Sequence, residues 1–156
     1  MNNEMEFQHA LEQTMVLALE DWAMMVVEPT DKATQIFELD EPIFLSTITF
    51  QGVIDGHVKI VAQDGFLQTL VANILGTESD VAAKEAQIQD AFKELANVVT
   101  GNFLTAAYGD DTVFDVVLPS VDTINPQQFR QLFDEKVVYC FIADDNPVIV
   151  TFSVHR

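Results

Sequence analysis

A row of polar residues recurs at one-turn spacing in a helix that the sequence predicts up to about Leu104: Asp90, Glu94 and Asn97. Taking about 100° per residue, Glu94 lies about 40° and Asn97 about −20° from Asp90 around the helix axis. Gly101 continues the row, at about 20°. The apolar residues of the segment cluster on the opposite side: Ile88, Phe92, Leu95, Val99 and Phe103. The spacing therefore predicts a helix that packs its apolar face on a sheet and turns the polar row outward.

This polar row offers two kinds of chemistry. The carboxylates of Asp90 and Glu94 can pair with a cationic group, and the neutral carboxamide of Asn97 can accept a hydrogen bond from water and donate one to it. A glycine inside a helix costs about 1 kcal/mol relative to alanine, so Gly101 is compatible with a partner that approaches closely. Taken alone, the pattern D-x-x-x-E-x-x-N is weak, because such residues are common on solvated helix faces.

The sequence lacks the ordinary signatures of catalysis and metal binding. There is no Gly-rich phosphate loop with Lys, no G-x-S-x-G and no H-E-x-x-H. The histidines have no sequence-local partner that would indicate a triad: His9, His57 and His155. Two acidic clusters lack the spacing of a calcium loop and are interpreted as solvated turns: Asp110, Asp111 and Asp115, then Asp144 and Asp145. We expect no metal and no cofactor of the protein's own.

Composition excludes several classes of protein. The chain has 156 residues, 49% of them hydrophobic, and a formal net charge of −18. A surface this negative repels phosphate backbones and anionic lipid, so neither nucleic-acid binding nor a basic membrane contact is expected. One cysteine, Cys140, cannot form an intramolecular disulfide and is expected to be a buried, inert thiol. No apolar run near the N-terminus is long enough to span a membrane, and a cytoplasmic protein is expected.

The pattern of the remaining chain predicts one α+β domain, with a mostly antiparallel sheet of about six strands packed against helices. An amphipathic helix runs from Phe7 to Val26 and stops before Pro29. A short helix, Phe66 to Leu75, is capped by Asp64 and ended by Gly76. The motif helix begins near Thr77 to Asp80, and a helical turn covers Gln127 to Phe133. The predicted strands are Thr34–Glu38, Ile43–Phe50, Gly56–Ala62, Phe114–Leu118, Glu135–Ala143 and Val148–Val154, the last two as a hairpin.

The segment Asp90-Ala-Phe-Lys-Glu94-Leu-Ala-Asn97, followed by Gly101, resembles the motif helix of the CheC/CheX family of bacterial chemotaxis phosphatases. The Gly52 and Gly56 spacing and the order of elements are also similar, so the resemblance covers nearly the whole chain. A single copy of the motif is similar to the CheX type and implies one site per chain. It also implies a CheC/CheX-like fold and a homodimer paired through the sheets. The apolar strand Val148–Val154 is expected to contribute to that pairing, as an uncovered edge.

The resemblance implies a function: hydrolysis of the aspartyl phosphate on a CheY-like response-regulator receiver domain, which carries its own Mg²⁺. On this interpretation Asn97 positions the attacking water and Glu94 pairs with the receiver's active-site lysine. Asp90 and Gly101 are assigned to contact with the partner. The alternative is a catalytically silent adaptor, which would use the same ridge or the sheet edge to bind a receiver or another signalling protein.

Overall fold

Seven strands form one antiparallel sheet in the part of the chain that the structure describes. The structure is a computed structural model that describes residues 2–30, 37–77, 82–134 and 137–155, with side chains from residue 8 to residue 154. The strands are β1 (Val27–Pro29), β2 (Ile43–Gln51), β3 (Asp55–Ala62), β4 (Asp115–Val116), β5 (Ser120–Ile124), β6 (Val137–Ala143) and β7 (Asn146–His155). Their order is β1-β6-β7-β3-β2-β4, and β5 pairs with the first half of β2.

Four α-helices lie among the described residues: α1 (Asn2–Leu17), α2 (Asp64–Leu75), α3 (Glu85–Tyr108) and α4 (Pro126–Gln131). A π-helical turn, Ala18–Trp22, follows α1, and a 3-10 turn, Leu132–Asp134, follows α4. Together with the sheet these helices make an α+β domain, as the sequence predicts.

Both faces of the sheet are covered by apolar side chains. On one face, α1, α2 and α3 pack in a large core that includes Met15, Phe66 and Phe92. On the other face, a smaller core joins Phe129 of α4 to Ile149 of β7. Burial on both sides holds the central strands rigidly, so α3 lies on a fixed support.

Most of the predicted elements are confirmed. β2 and β3 pair antiparallel as expected, and α2 ends at Gly76, whose φ of 69° is the left-handed conformation that glycine adopts without strain. This helix begins at Asp64 itself, with Gln63 at the N-cap position, which corrects the prediction that Asp64 is the cap. The predicted hairpin of β6 and β7 is present, with Asp144 and Asp145 in its turn.

Several boundaries differ from the prediction. The first helix gives way to the π-helical turn and then to β1, where the sequence predicts helix up to Val26. The strand predicted over Thr34–Glu38 falls mostly outside the described residues, and its last two residues are in no strand. The predicted start of α3 is early, although residues 78–81 are outside the described part. β4 is shorter than predicted and β5 was not predicted at all.

The position of β7 corrects the expectation that Val148–Val154 is an uncovered edge. β7 lies between β3 and β6 and is hydrogen-bonded along both sides. Val148, Ile149 and Val150 are all fully buried, because the sheet has a core on each face. The alternation of β-branched residues indicated a strand but did not reveal its place in the sheet.

Candidate functional site

The buried face of α3 is the one that the sequence predicts. Phe92, Leu95, Val99 and Phe103 have no exposed surface and belong to the large core. Ile88 is partly buried at the edge of the same core. Because these side chains share one side of the helix, they fix its rotation about its own axis.

Contacts at both ends hold α3 in register. At its start, the backbone N–H of Lys84 donates to Gln87 Oε1 at 2.9 Å, and the N–H of Ala83 donates to Oε1 of Gln68 on α2 at 2.7 Å. At its end, Gly109 adopts a φ of 87° and donates its N–H to the carbonyl oxygen of Thr105 at 2.8 Å. The bonds of Lys84 and Gly109 satisfy backbone groups at the two ends of the helix, and the bond of Ala83 ties the residue before the N-cap to α2.

The predicted polar row lies on the outer ridge of α3. Asp90, Glu94, Asn97 and Gly101 are all exposed, which confirms the predicted orientation. Within the described residues, the side chains of the first three make no hydrogen bond or ion pair. We call these four residues the polar ridge. Its polar side chains are available to a molecule that docks from solvent.

A groove of about 380 Å³ runs along one side of the polar ridge. It is lined by Asp90, Lys93, Glu94, Asn97, Leu118 and Pro119. Leu118 is 88% exposed, and it belongs to the segment between β4 and β5 at the sheet edge. The groove therefore sets an exposed apolar side chain opposite the carboxamide of Asn97.

A cavity of about 350 Å³ lies on the other side of the polar ridge. It is lined by Trp22, Val71, Ile74, Leu75, Gln87, Asp90, Ala91 and Glu94. Asp90 and Glu94 line both depressions, so the ridge separates the two. We call this second depression the Trp22 cavity.

Gly101 has room for a side chain in the free protein. A Cβ built on it meets no atom within 4 Å. Packing inside the chain therefore does not require a glycine at this position. No internal contact offsets the destabilisation that glycine causes in a helix relative to alanine.

We expect Gly101→Ala to raise the free energy of unfolding by about 0.5–1 kcal/mol, because alanine loses less backbone entropy in a helix. Chemical denaturation measures this change. If a partner approaches closely at Gly101, the same variant also weakens partner binding. Asn102→Ala, on the same helix but off the ridge, is the control and leaves partner binding unchanged. A destabilised Gly101→Ala variant would contradict this account of the ridge.

Other residues singled out from the sequence lie away from the polar ridge. His57 is on β3, and the side chain of His155 is outside the described part. Cys140 is half-buried on β6, a correction to the expected buried thiol. Burial raises the pKa of Tyr139, on the same strand, and the Glu12 carboxylate adds to that shift.

Among the described residues, no three His, Cys, Asp or Glu side chains are grouped so that they could hold a metal ion. In the same part of the chain, no helix is long and apolar enough to cross a bilayer.

Comparison with known families identifies the fold. Residues 44–142 match the family model described as chemotaxis phosphatase CheX, and this range contains the whole polar ridge. The chain belongs to the CheX family. No curated protein sequence matches it.

Solved CheX structures are similar in fold over nearly the whole chain. A CheX from Vibrio vulnificus is 17% identical, with a TM-score of 0.70 over 96% of this chain and 99% of that one. A CheX from Desulfovibrio desulfuricans is 16% identical, with a TM-score of 0.69 over the same two shares. The CheX–CheY–BeF3–Mg complex from Borrelia burgdorferi matches at 14% identity and a TM-score of 0.67, over 95% of this chain and 97% of that one.

Sequence reasoning missed the residues that flank the polar ridge. Trp22 falls within the predicted first helix, Phe7 to Val26, and Leu118 ends a predicted strand. Both lie far from Asp90 along the chain, so no local spacing connects them to the site. A local signal was Pro119 after Leu118, since proline within a sheet is confined to edge strands, strand starts and bulges and so indicates the edge of the sheet.

Proposed function

We propose that this CheX-family protein hydrolyses the aspartyl phosphate of a CheY-like receiver domain. The observation that carries the proposal is the exposed pair Glu94 and Asn97, one turn apart and without an intramolecular partner among the described residues. This pair lies in the segment that matches the CheX family model. The Borrelia burgdorferi complex supports a CheY-like partner for the family.

The reaction requires a water molecule placed in line with the phosphorus. The water oxygen attacks phosphorus, the bond from phosphorus to the aspartyl oxygen breaks, and the receiver's aspartate leaves as a carboxylate. The water proton passes to the phosphate product or to solvent. Since the receiver already holds Mg²⁺ and the phosphoryl group, the missing contribution is orientation of the nucleophile.

Asn97 has the side chain suited to this task. Its carboxamide accepts one hydrogen bond from the water and so turns an oxygen lone pair toward phosphorus. A carboxylate at the same position would orient water too, but it would repel the phosphoryl oxygens. Exposure on a rigid helix lets Asn97 reach into another protein's site without moving the backbone.

Glu94 sets the register of Asn97 over the phosphate. Its carboxylate pairs with the receiver's active-site lysine, a charge-assisted contact that gives direction as well as attraction. Asp90 and Gly101 extend the contact along the same helix. The role of the protein is therefore to add two side chains to a site that the receiver otherwise supplies.

The adaptor alternative differs from this proposal in one measurable quantity, the rate of phosphate loss. A set of phosphorylated receivers is incubated with and without the protein, and acyl-phosphate decay is followed. Accelerated decay of at least one receiver is the expected result. A receiver that binds the protein and still decays at its intrinsic rate would favour the adaptor.

The family resemblance also implies a homodimer paired through the sheets, which we retain as a proposal. Because β7 is central, the edges open to such pairing among the described strands are β1 and the β4–β5 side of β2. β5 is the longer of these edges, and its backbone offers more hydrogen-bonding groups to a second copy.

Electrostatic repulsion should slow encounter with an acidic receiver. The protein has a formal charge of −18, and a receiver exposes carboxylates around its Mg²⁺. The Debye length falls from about 30 Å at 0.01 M salt to about 8 Å at 0.15 M. We therefore expect the association rate constant, measured by stopped flow, to rise over this range. A rate constant that falls with salt would indicate a basic partner instead.

A further inference from the structure

The mechanism proposed above uses only Asp90 and Glu94 among the residues that line the Trp22 cavity. Its walls come from three elements: Trp22 from the π-helical turn, Val71, Ile74 and Leu75 from α2, and Ala91 from α3. These walls are apolar, and Leu75 is 53% exposed at the opening. A volume of about 350 Å³ is enough to accept one long side chain of another protein.

The mouth of this cavity carries negative charge. Asp90 and Glu94 both line it, and no basic side chain does so among the described residues. Lys93 lines the groove on the other side of the ridge instead. An entirely apolar occupant would cover the carboxylate of Asp90 without pairing it, which is unfavourable. An occupant with an apolar stem and a cationic head fits both the walls and the mouth.

Trp22 favours the same chemistry. Arginine and lysine pack their methylene stems along apolar surface while keeping the charged head near water or a counter-charge. An indole ring attracts a cation that lies over its face, more strongly than the other aromatic side chains do. A tryptophan beside a carboxylate is therefore a suitable receptor for one basic side chain.

The segment that carries Trp22 has an unusual backbone. The helix changes to a π-helical turn over Ala18–Trp22, and Met24 has a φ of 55°. Asn73 Nδ2 on α2 donates to the carbonyl oxygen of Ala23 at 2.9 Å and holds the segment in place. π-helical turns and left-handed non-glycine residues are unfavourable and are frequent at functional sites. The unfavourable backbone conformation of this segment is consistent with a functional role for Trp22, which it positions beside the polar ridge.

We propose that the Trp22 cavity receives an arginine or lysine side chain of the receiver, whose stem packs against Trp22 and Leu75 and whose cationic head pairs with Asp90. This basic residue is distinct from the active-site lysine that Glu94 engages, and the inference rests on the proposed function. Asp90 is then a specificity-determining residue: receivers with a basic side chain at the matching position are the better substrates.

The first test separates binding from chemistry. Asp90→Asn keeps the side chain's shape and removes its charge, and Asp110→Asn makes the same change in net charge in the loop after α3. For a phosphorylated receiver we expect Asp90→Asn to raise KM about tenfold with kcat changed by less than about twofold. Asp110→Asn should leave KM at or slightly below the wild-type value, since it only relieves repulsion. Equal KM values for the two variants would overturn the proposal.

The second test observes the cavity directly. Trp22 is the one tryptophan of the chain, so incorporation of 5-fluorotryptophan gives a single ¹⁹F resonance. The labelled protein is titrated with an unlabelled, beryllofluoride-activated receiver, and complex formation is followed in parallel by sedimentation velocity. We expect the resonance to shift as the complex forms, with a midpoint about tenfold higher for Asp90→Asn. A complex that forms without moving the resonance would overturn the proposal.

The two readouts distinguish this inference from the proposed function. A Trp22 resonance that shifts with the expected dependence on Asp90, without accelerated phosphate loss, would contradict the proposed phosphatase activity and support the basic side chain in the cavity. Accelerated phosphate loss with an unmoved resonance would support the phosphatase activity and contradict the binding of a basic side chain in the Trp22 cavity.

Discussion

We expect Asn97→Ala to lower kcat for receiver dephosphorylation by about 10²-fold or more, because the variant removes the carboxamide that we propose holds the attacking water in line. The fold is retained, since the Asn97 side chain is exposed and no hydrogen bond to it is found within the described residues. Phosphate release at a saturating concentration of phosphorylated receiver measures kcat, and circular dichroism and thermal unfolding check the fold.

Asn102→Ala is the matched control for this variant. Asn102 is also an exposed carboxamide on α3, and it lies about 120° from Asp90 around the helix axis, off the polar ridge. If the loss of kcat in Asn97→Ala is specific to the polar ridge, Asn102→Ala keeps the wild-type kcat. Equal values of kcat for wild type and Asn97→Ala would remove Asn97 from the mechanism.

We expect Glu94→Gln to lower kcat/KM by about 10- to 100-fold, because it replaces the proposed charge-assisted contact to the receiver's lysine with a neutral one. The variant preserves side-chain length and shape, so packing along the ridge is unchanged. Dephosphorylation rates measured across concentrations of phosphorylated receiver give kcat and KM separately. Since the proposed mechanism has Glu94 both bind the receiver and orient Asn97, we expect kcat to fall and KM to rise.

Glu28→Gln controls for the loss of one negative charge. Glu28 is exposed on β1, at the opposite edge of the sheet from β4 and β5. Its variant relieves the same amount of repulsion toward an acidic receiver without touching the ridge. A loss of kcat/KM in both variants would attribute the effect to overall charge and contradict the assigned role of Glu94.

The polar ridge could be predicted because one helix carries all of its residues. A helical period relates Asp90, Glu94 and Asn97 to the apolar residues opposite them, and burial of Phe92 and Leu95 then determines which way the ridge faces. The same logic predicted β2 and β3, whose alternation and glycine breaks are local.

The rest of the site depends on contacts between distant segments. The Trp22 cavity joins three elements, and the π-helical turn that places Trp22 has no sequence signature that helical periodicity can detect. β5 was missed because Asp122 and Thr123 interrupt its apolar pattern at an exposed edge. β7 was placed at an edge because alternation indicates a strand without indicating its neighbours.

We propose above all that the protein accelerates dephosphorylation of a receiver that it binds. The direct test is the acyl-phosphate decay rate of one receiver, measured as a function of the concentration of the wild-type protein. We predict that the rate rises with concentration and saturates far above the intrinsic rate of the receiver. A decay rate that stays at the intrinsic value while sedimentation shows the receiver fully bound would contradict the account.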